Sequence, residues 1–196
     1  MNNFLVRVTF SKLSIPVYRE FSINDEITLH QFHKIIQRVL NYSSEHLYAF
    51  IIDDIAFTIK DEYQPEDDIN SDSKNIKISQ LCFKKEETFR YFYNFEDDWE
   101  FEVRILEITE TDEFNDSIIL CGGLNNIPPE NCGGIELYNS FVDAVTSNDT
   151  SLIESIKSET KIDLDIHLFN IDHENERLQE KITEVIPETK NNEIFW

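Results

Sequence analysis

Along residues 4–10, Phe4, Val6, Val8 and Phe10 fall on one face of an extended chain, with Arg7 and Thr9 on the other. A period of two predicts a half-buried strand. The pattern returns over 17–23, after Pro16, where Val17, Phe21 and Ile23 face one way and Tyr18, Glu20 and Ser22 the other. Over 28–41 the period becomes helical. Leu29, Phe32, Ile35, Ile36, Val39 and Leu40 gather in a stripe about 140° wide, the width a helix needs to lie on a sheet. Thr28 followed by Gln31 is a capping-box signature, and Asp25 and Glu26 suit the positive end of the helix dipole. His33 falls on the shoulder of the stripe, which predicts half-burial, and His30 falls toward solvent.

Two more strands follow at 47–52 and 55–59, joined by Asp53-Asp54 as a tight hairpin. The segment 61–73 is acidic and almost free of apolar residues, which predicts a mobile surface loop. After a short turn at 78–81, a second hairpin places Phe89, Tyr91, Tyr93 and Phe95 on one face of its first arm. Trp99, Phe101, Val103 and Ile105 share a face of the second arm, and Glu96, Asp97 and Asp98 form the loop. All four glycines lie between 122 and 134, in a stretch read as a loop with Cys121, Pro128, Pro129 and Cys132. Helices are expected near 137–146, 152–158 and 171–182; Phe195 and Trp196 can dock from a polar tail.

This order predicts an α+β fold: a mixed β-sheet packed by the amphipathic helix, in a β-grasp-like order of strand-strand-helix-strand-strand. The long hairpin extends it and C-terminal helices follow. The expected organisation is a core domain over 1–135, a helical extension over 136–186 and a flexible tail over 187–196.

Composition sharpens this picture. Of 196 residues, 40% are hydrophobic and 12% aromatic, enough for a core and too many for a disordered chain. No apolar run approaches the ~18–20 residues of a membrane span, and the polar start does not read as a secretion signal. Asp and Glu number 39 against 17 Lys and Arg, a formal charge of -22. Such a field repels phosphate backbones, so direct nucleic-acid binding is disfavoured and a basic protein partner is favoured. Three cysteines cannot all pair and fit a reducing, cytoplasmic setting.

Candidate chemistry is sparse. His33, His46, Cys121 and Cys132 are the residues able to hold a metal, but they lack the close pairs of a zinc motif. No cofactor is expected. Asp97, Asp98, Glu100 and Glu130 could share a proton or a divalent cation, though close carboxylates are common in so acidic a chain. There is no nucleophile elbow or phosphate-binding glycine loop. The aromatic row of the hairpin lacks the bases of a nucleotide-stacking platform and reads as core, one edge lining a pocket with the 128–134 loop.

Three segments resemble the plasmid Ri open-reading-frame-three-like family, whose members also occur as insertion-element passengers. Thr28, Leu29, His33, Ile36, Gln37, Tyr42, His46, Leu47 and Phe50 are similar to its helix and following turn. The run from Tyr91 through Asp97, Asp98 and Trp99 is similar to its Tyr-x-Tyr-Asp-Phe-Gly-Asp-x-Trp. Cys121-Gly122 with Pro128-Pro129-Glu130-Asn131-Cys132-Gly133-Gly134 is similar to its Pro-Pro-Glu-Asp-x-Gly-Gly. A weaker echo is Leu164-Asp165, Phe169 and Asn175-Glu176-Arg177-Leu178. The chain departs from the pattern at Tyr48, Asn94, Glu96, Phe101 and Asn131, where the family has His, Asp, Gly, His and Asp.

The resemblance implies the architecture and carries no settled activity. The leading expectation is a cytosolic accessory or binding protein of a mobile element. Its site is the groove between the 42–46 turn, the hairpin tip at 97–99 and the 128–134 loop, with His33, Gln37, Tyr42, His46, Asp97, Asp98, Trp99, Pro128, Pro129, Glu130, Gly133 and Gly134 as binding residues. Two alternatives stand beside it: a metal-assisted hydrolase using His33 and His46, and a nucleic-acid mimic that inhibits a basic DNA- or RNA-binding protein.

Overall fold

The structure, a computed structural model, describes residues 1–59, 71–112, 117–160 and 162–185. Most of the acidic segment, with Glu66, Asp67 and Asp68, and the tail with Phe195 and Trp196 lie outside the described residues. In chain order the elements are β1 (Asn2–Phe10), β2 (Tyr18–Asn24), α1 (Leu29–Leu40), β3 (Tyr48–Ile52) and β4 (Ile55–Thr58). They continue with β5 (Ser71–Asp72), a 3-10 turn (Ile78–Leu81), β6 (Thr88–Tyr93), β7 (Trp99–Glu110) and β8 (Leu120–Leu124). Three helices follow: α2 (Gly134–Ser147), α3 (Thr150–Thr160) and α4 (Ile171–Val185).

The strands form one sheet in the order β5-β4-β3-β6-β7-β1-β2-β8, making the fold α+β. Every described pairing is antiparallel except the short β4–β5 pair, which makes the sheet mixed. The chain order strand-strand-helix-strand-strand is present. However, the β6–β7 hairpin stands between β1 and β3 instead of extending the sheet from one side. The reason is burial. Tyr91, Tyr93, Trp99, Phe101 and Val103 are all fully enclosed, and a hairpin carrying so much aromatic surface belongs at the centre. Each such ring is worth roughly 1.5–3 kcal/mol when taken out of water.

The alternation read in the sequence is seen as burial. Phe4, Val6, Val8 and Phe10 are buried, while Leu5, Arg7 and Thr9 are half-exposed. Arg19 is a departure: it is 2% exposed on the inner side of β2. One guanidinium nitrogen (Nη1) donates to the carbonyls of Tyr18 (2.8 Å), Leu124 (3.2 Å) and Asn125 (3.0 Å), and the group lies 4.3 Å over the Phe169 ring. Burial lowers its pKa to about 10.

Around α1 the capping box is complete: the Thr28 hydroxyl accepts from the Gln31 amide (3.2 Å), and the Gln31 side chain accepts from the Thr28 amide (2.8 Å). The β3–β4 turn has both Asp53 and Asp54 at positive φ, the conformation whose twist suits a two-residue hairpin.

Two expectations are corrected. The stretch at 121–124 is not loop: it completes β8, which pairs with β2 at the sheet edge. Its glycines hid it, having no side chain to alternate. Gly123 instead admits the Phe169 ring, whose nearest atom would lie 2.5 Å from an added Cβ. Phe95 does not continue the inner face of β6, because Asn94 takes a left-handed turn (φ 51) and leaves Phe95 55% exposed.

The C-terminal helices share the core of the sheet through Tyr138, Phe141, Val142, Ile156 and Leu178. The Asn175-Glu176-Arg177-Leu178 run explains how α4 docks. Asn175 accepts from the Leu120 amide (2.7 Å) and donates to its carbonyl (3.2 Å), closing the free edge of β8 there. Arg177 donates to the Arg38 and Val39 carbonyls at 3.1 and 3.0 Å, satisfying the end of α1.

Candidate functional site

The site begins where α1 stops. Asn41 adopts the left-handed conformation (φ 60), and the Tyr42 amide donates to the Gln37 carbonyl (2.8 Å), turning the chain out of the helix. This turn sends Tyr42 inward and exposes His46. The Tyr42 hydroxyl donates to the Pro128 carbonyl at 3.0 Å, which ties the helix exit to the proline-rich loop.

Glu130 is the hub. Its carboxylate accepts the Ser43 amide (2.7 Å), the Ser43 hydroxyl (2.8 Å) and the Tyr93 hydroxyl (2.5 Å). Its backbone carbonyl accepts the Trp99 indole N–H at 3.4 Å. Charge-assisted bonds of this kind are roughly twice as strong as neutral ones, and a single half-buried carboxylate here joins three remote segments. Burial, followed by the bond to Glu130, raises the Tyr93 pKa.

A second lock lies one turn further on. Gly133 and Gly134 both have positive φ, 85° and 77°. A Cβ at Gly134 would sit 2.8 Å from the Asp97 carbonyl oxygen, so only glycine lets the hairpin tip lie against the start of α2. The Ile135 amide donates to that same carbonyl at 3.4 Å. Cys132 is fully buried beneath, and burial pushes its thiol up to about 11, an inert state.

The three family-like segments are therefore brought together, but they fill the space between them. Tyr42, Trp99, Pro128 and Gly134 are buried in the joint, where the sequence predicted a groove. What stays open is a cleft of about 410 Å³ between the hairpin tip and the glycine pair, lined by Lys12, Asp97, Asp98, Gly133, Gly134 and Glu136. Lys12 bridges Asp98 (2.7 Å) and Glu100 (2.9 Å). Burial, with Glu96 and Glu130 nearby, raises the Asp97 carboxyl above its ordinary range.

His33 and Gln37 lie under this joint, each 1% exposed, and do not reach its surface. Gln37 donates to the Tyr91 hydroxyl (2.8 Å), which is also hydrogen-bonded to His33 Nδ1 (2.7 Å). The His33 ring stacks on Tyr48 with centroids 3.7 Å apart. Burial chiefly, helped by Lys34 and His30, lowers its pKa to about 3. His33 is thus a neutral core residue instead of a half-buried one. Tertiary contacts overrule the helical wheel because Tyr48 and Tyr91 close over the shoulder of the stripe. His30, expected in solvent, is half-buried and bonded through Nδ1 to the Tyr48 hydroxyl at 2.8 Å.

Among the described residues, no three His, Cys, Asp or Glu side chains gather into a metal site, so His33, His46, Cys121 and Cys132 do not converge on one. No described helix is long and apolar enough to cross a membrane. Sequence reasoning missed Ser43, Leu47, Phe95 and Lys12. The left-handed Asn94 before the acidic tip was the available signal for Phe95, since asparagine tolerates that conformation and reverses the alternation. Leu47, 70% exposed, is joined to the residue before Phe95: its carbonyl accepts the Asn94 amide at 3.0 Å. Glu45 and His46, just before Leu47, and Glu96 and Asp98, just after Phe95, are also exposed.

The chain belongs to the plasmid pRiA4b ORF-3-like protein family, whose model matches residues 2–173. It is similar to the uncharacterized protein y4hQ of Sinorhizobium fredii (strain NBRC 101917 / NGR234), at 26% identity over 140 residues and 71% of each chain. Its fold is similar to the crystal structure of a protein of unknown function, MM3350, from Methanosarcina mazei Go1. The TM-score is 0.74 at 20% identity, covering 88% of this chain and 97% of that one.

Proposed function

We propose that this protein is an acidic binding protein, accessory to a mobile element, that docks a basic protein surface on the end of the sheet beside Glu130. One observation carries the reading: Phe95 and Leu47 stand exposed on two turns joined by the Asn94–Leu47 backbone bond, with an acidic rim of Glu45, Glu96 and Asp98 exposed close by in the chain. An exposed aromatic on a locked turn is an anchor that loses little entropy on binding. The acidic rim, backed by a chain charge of -22, steers a basic partner and rejects acidic ones. Proteins that hold DNA or RNA have such basic surfaces, so the partner class is a nucleic-acid-binding protein. His46 and Glu130 are linked through Tyr93, by ring contact and by its hydroxyl, while His33, Gln37, Tyr42 and Trp99 are buried.

The hydrolase alternative gains nothing from the geometry. His33 Nδ1 is committed to Tyr91 in the core, and His46 lies outside on the turn. The mimic alternative is a special case of the proposal, in which the partner's nucleic-acid groove is what the acidic rim occupies.

The test is capture from a native host extract on immobilised wild-type protein and on a Phe95→Ala, Glu96→Gln double variant. The partner is then repurified and titrated against both proteins. Binding should fall at least tenfold in the variant. It should also weaken with added salt, because screening acts over about 8 Å at physiological ionic strength. Displacement by the partner's own nucleic acid identifies mimicry. Equal affinity of both proteins, insensitive to salt, refutes the proposal.

A further inference from the structure

Proteins usually place charge on edge strands, because an unpaired strand edge invites a further strand. Charged residues make up 29% of this chain, yet none falls between Ser117 and Pro129. That uncharged run contains β8, which pairs with β2 alone and ends the sheet. Its exposed side chains are apolar: Ile119 is 47% exposed and Leu124 39%, with Cys121 exposed between them. Glu20, whose carboxylate lies against Gly122, is neutralised by Arg7, which donates to it at 2.7 Å.

The chain covers this edge at two points, with substitutes for a strand. At Leu120 the Asn175 side chain accepts from the amide (2.7 Å) and donates to the carbonyl (3.2 Å). That is the two-bond exchange one residue of an antiparallel neighbour makes. Further on, the Ile166 carbonyl accepts the Asn126 amide at 3.0 Å. Between these points, among the described residues, no backbone group bonds Cys121, Gly122 or Gly123 from the side away from β2.

Charge selects the occupant. A chain of net charge -22 holds acidic proteins off, while a basic one is drawn to carboxylates and finds none in this run. A second copy brings the same uncharged, apolar edge. A two-fold axis near Gly122 sets the two edges antiparallel, the self-complementary arrangement of an isologous contact. We infer that β8 is a homodimer edge: two copies join β8 to β8, the sheet continues across the axis, and Asn175 is the gate that Leu120 exchanges for the second copy. This contact is independent of the docking end beside Glu130.

The experiment is sedimentation equilibrium of the full chain over a range of concentrations, at low and high salt, with circular dichroism to show that each variant keeps its fold. Self-association is expected, and it should tighten as salt rises, because screening relieves the repulsion between two acidic copies. Docking of a basic partner responds in the opposite sense. Leu124→Lys should weaken association at least tenfold although it lowers the net charge, whereas Leu152→Lys, at a 43% exposed position on α3, should not weaken it. Asn175→Ala should tighten association at least threefold. In a Cys82→Ser chain a short bismaleimide should join Cys121 to Cys121 of the second copy, since Cys132 is buried. A monomer throughout, in Asn175→Ala as well, overturns the inference. So does a dimer that Leu124→Lys leaves intact, that salt weakens, or that the crosslinker does not capture.

Discussion

Replacing Gly134 with alanine tests the joint on which the docking surface depends. Two separate penalties follow from the geometry. At φ 77 an L-residue sits in the left-handed region, which is unfavourable by roughly 1–2 kcal/mol relative to glycine. The new methyl would also lie 2.8 Å from the Asp97 carbonyl oxygen and 3.1 Å from its Cα. These are backbone atoms. They cannot swing aside, because the Asp97 amide donates to the Asn94 carbonyl (3.0 Å) and the Asp97 carbonyl accepts from Ile135. Overpacking against such a wall adds about 1–3 kcal/mol, so the total is about 2–5 kcal/mol. Gly133 is the internal control. Its φ of 85 carries the same backbone penalty, but an added methyl would meet the Leu137 Cδ2 at 2.8 Å, the far end of a flexible side chain. Gly133→Ala should therefore lose only about 1–2 kcal/mol. Urea unfolding followed by tryptophan fluorescence measures both. In thermal melts the Gly134 variant should fall roughly 4–20 °C, at about 2–4 °C per kcal/mol for a chain of this size. If Gly134→Ala is no more destabilising than Gly133→Ala, the hairpin tip is not locked to α2 and the reasoning fails.

Three further outcomes are expected. His33 has its folded-state pKa pushed down to about 3, whereas an unfolded histidine titrates near ~6.5. The unfolded chain thus takes up the proton first, so the stability contributed is fully present above ~6.5 and lost as the pH falls toward ~3, by up to about 1.4 kcal/mol per pH unit. Urea unfolding at neutral and mildly acid pH should show a loss that His33→Gln reduces; identical losses would refute the assignment. Asn175→Ala should free the Leu120 amide and carbonyl on the edge of β8, destabilise by about 1–2 kcal/mol and speed hydrogen exchange at Leu120, and unchanged exchange would count against the cap. Phe95→Ala should leave stability within about 0.5 kcal/mol, whereas Phe101→Ala in the core should lose about 3–5 kcal/mol; comparable losses in urea would mean that Phe95 is packed.

Much of the secondary structure was legible because strands and helices advertise themselves at short range. The alternation of Phe4, Val6, Val8 and Phe10 and the Thr28–Gln31 box depend only on where consecutive side chains point. The family-like segments could likewise be recognised as unusual. That Glu130 would be the atom group joining them was not legible, since its partners Tyr93 and Ser43 lie 37 and 87 residues away. Each looks ordinary in its own neighbourhood. The same holds for His33, whose place on the helical wheel says nothing of the two tyrosines that enclose it.

By itself, then, the sequence determined which stretches are extended or helical, which faces are apolar, that the chain is strongly acidic and that it belongs with its family. Only the tertiary structure decided that the aromatic hairpin occupies the middle of the sheet and that Gly122 and Gly123 belong to an edge strand. It also decided that Phe95 turns outward and that a glycine pair closes on the hairpin tip. The physical reason is the range of the forces involved. Backbone geometry and capping act over one to four residues and leave a period in the sequence. The choice of neighbours is instead made by the total apolar area removed from water, a property of surfaces assembled from the whole chain.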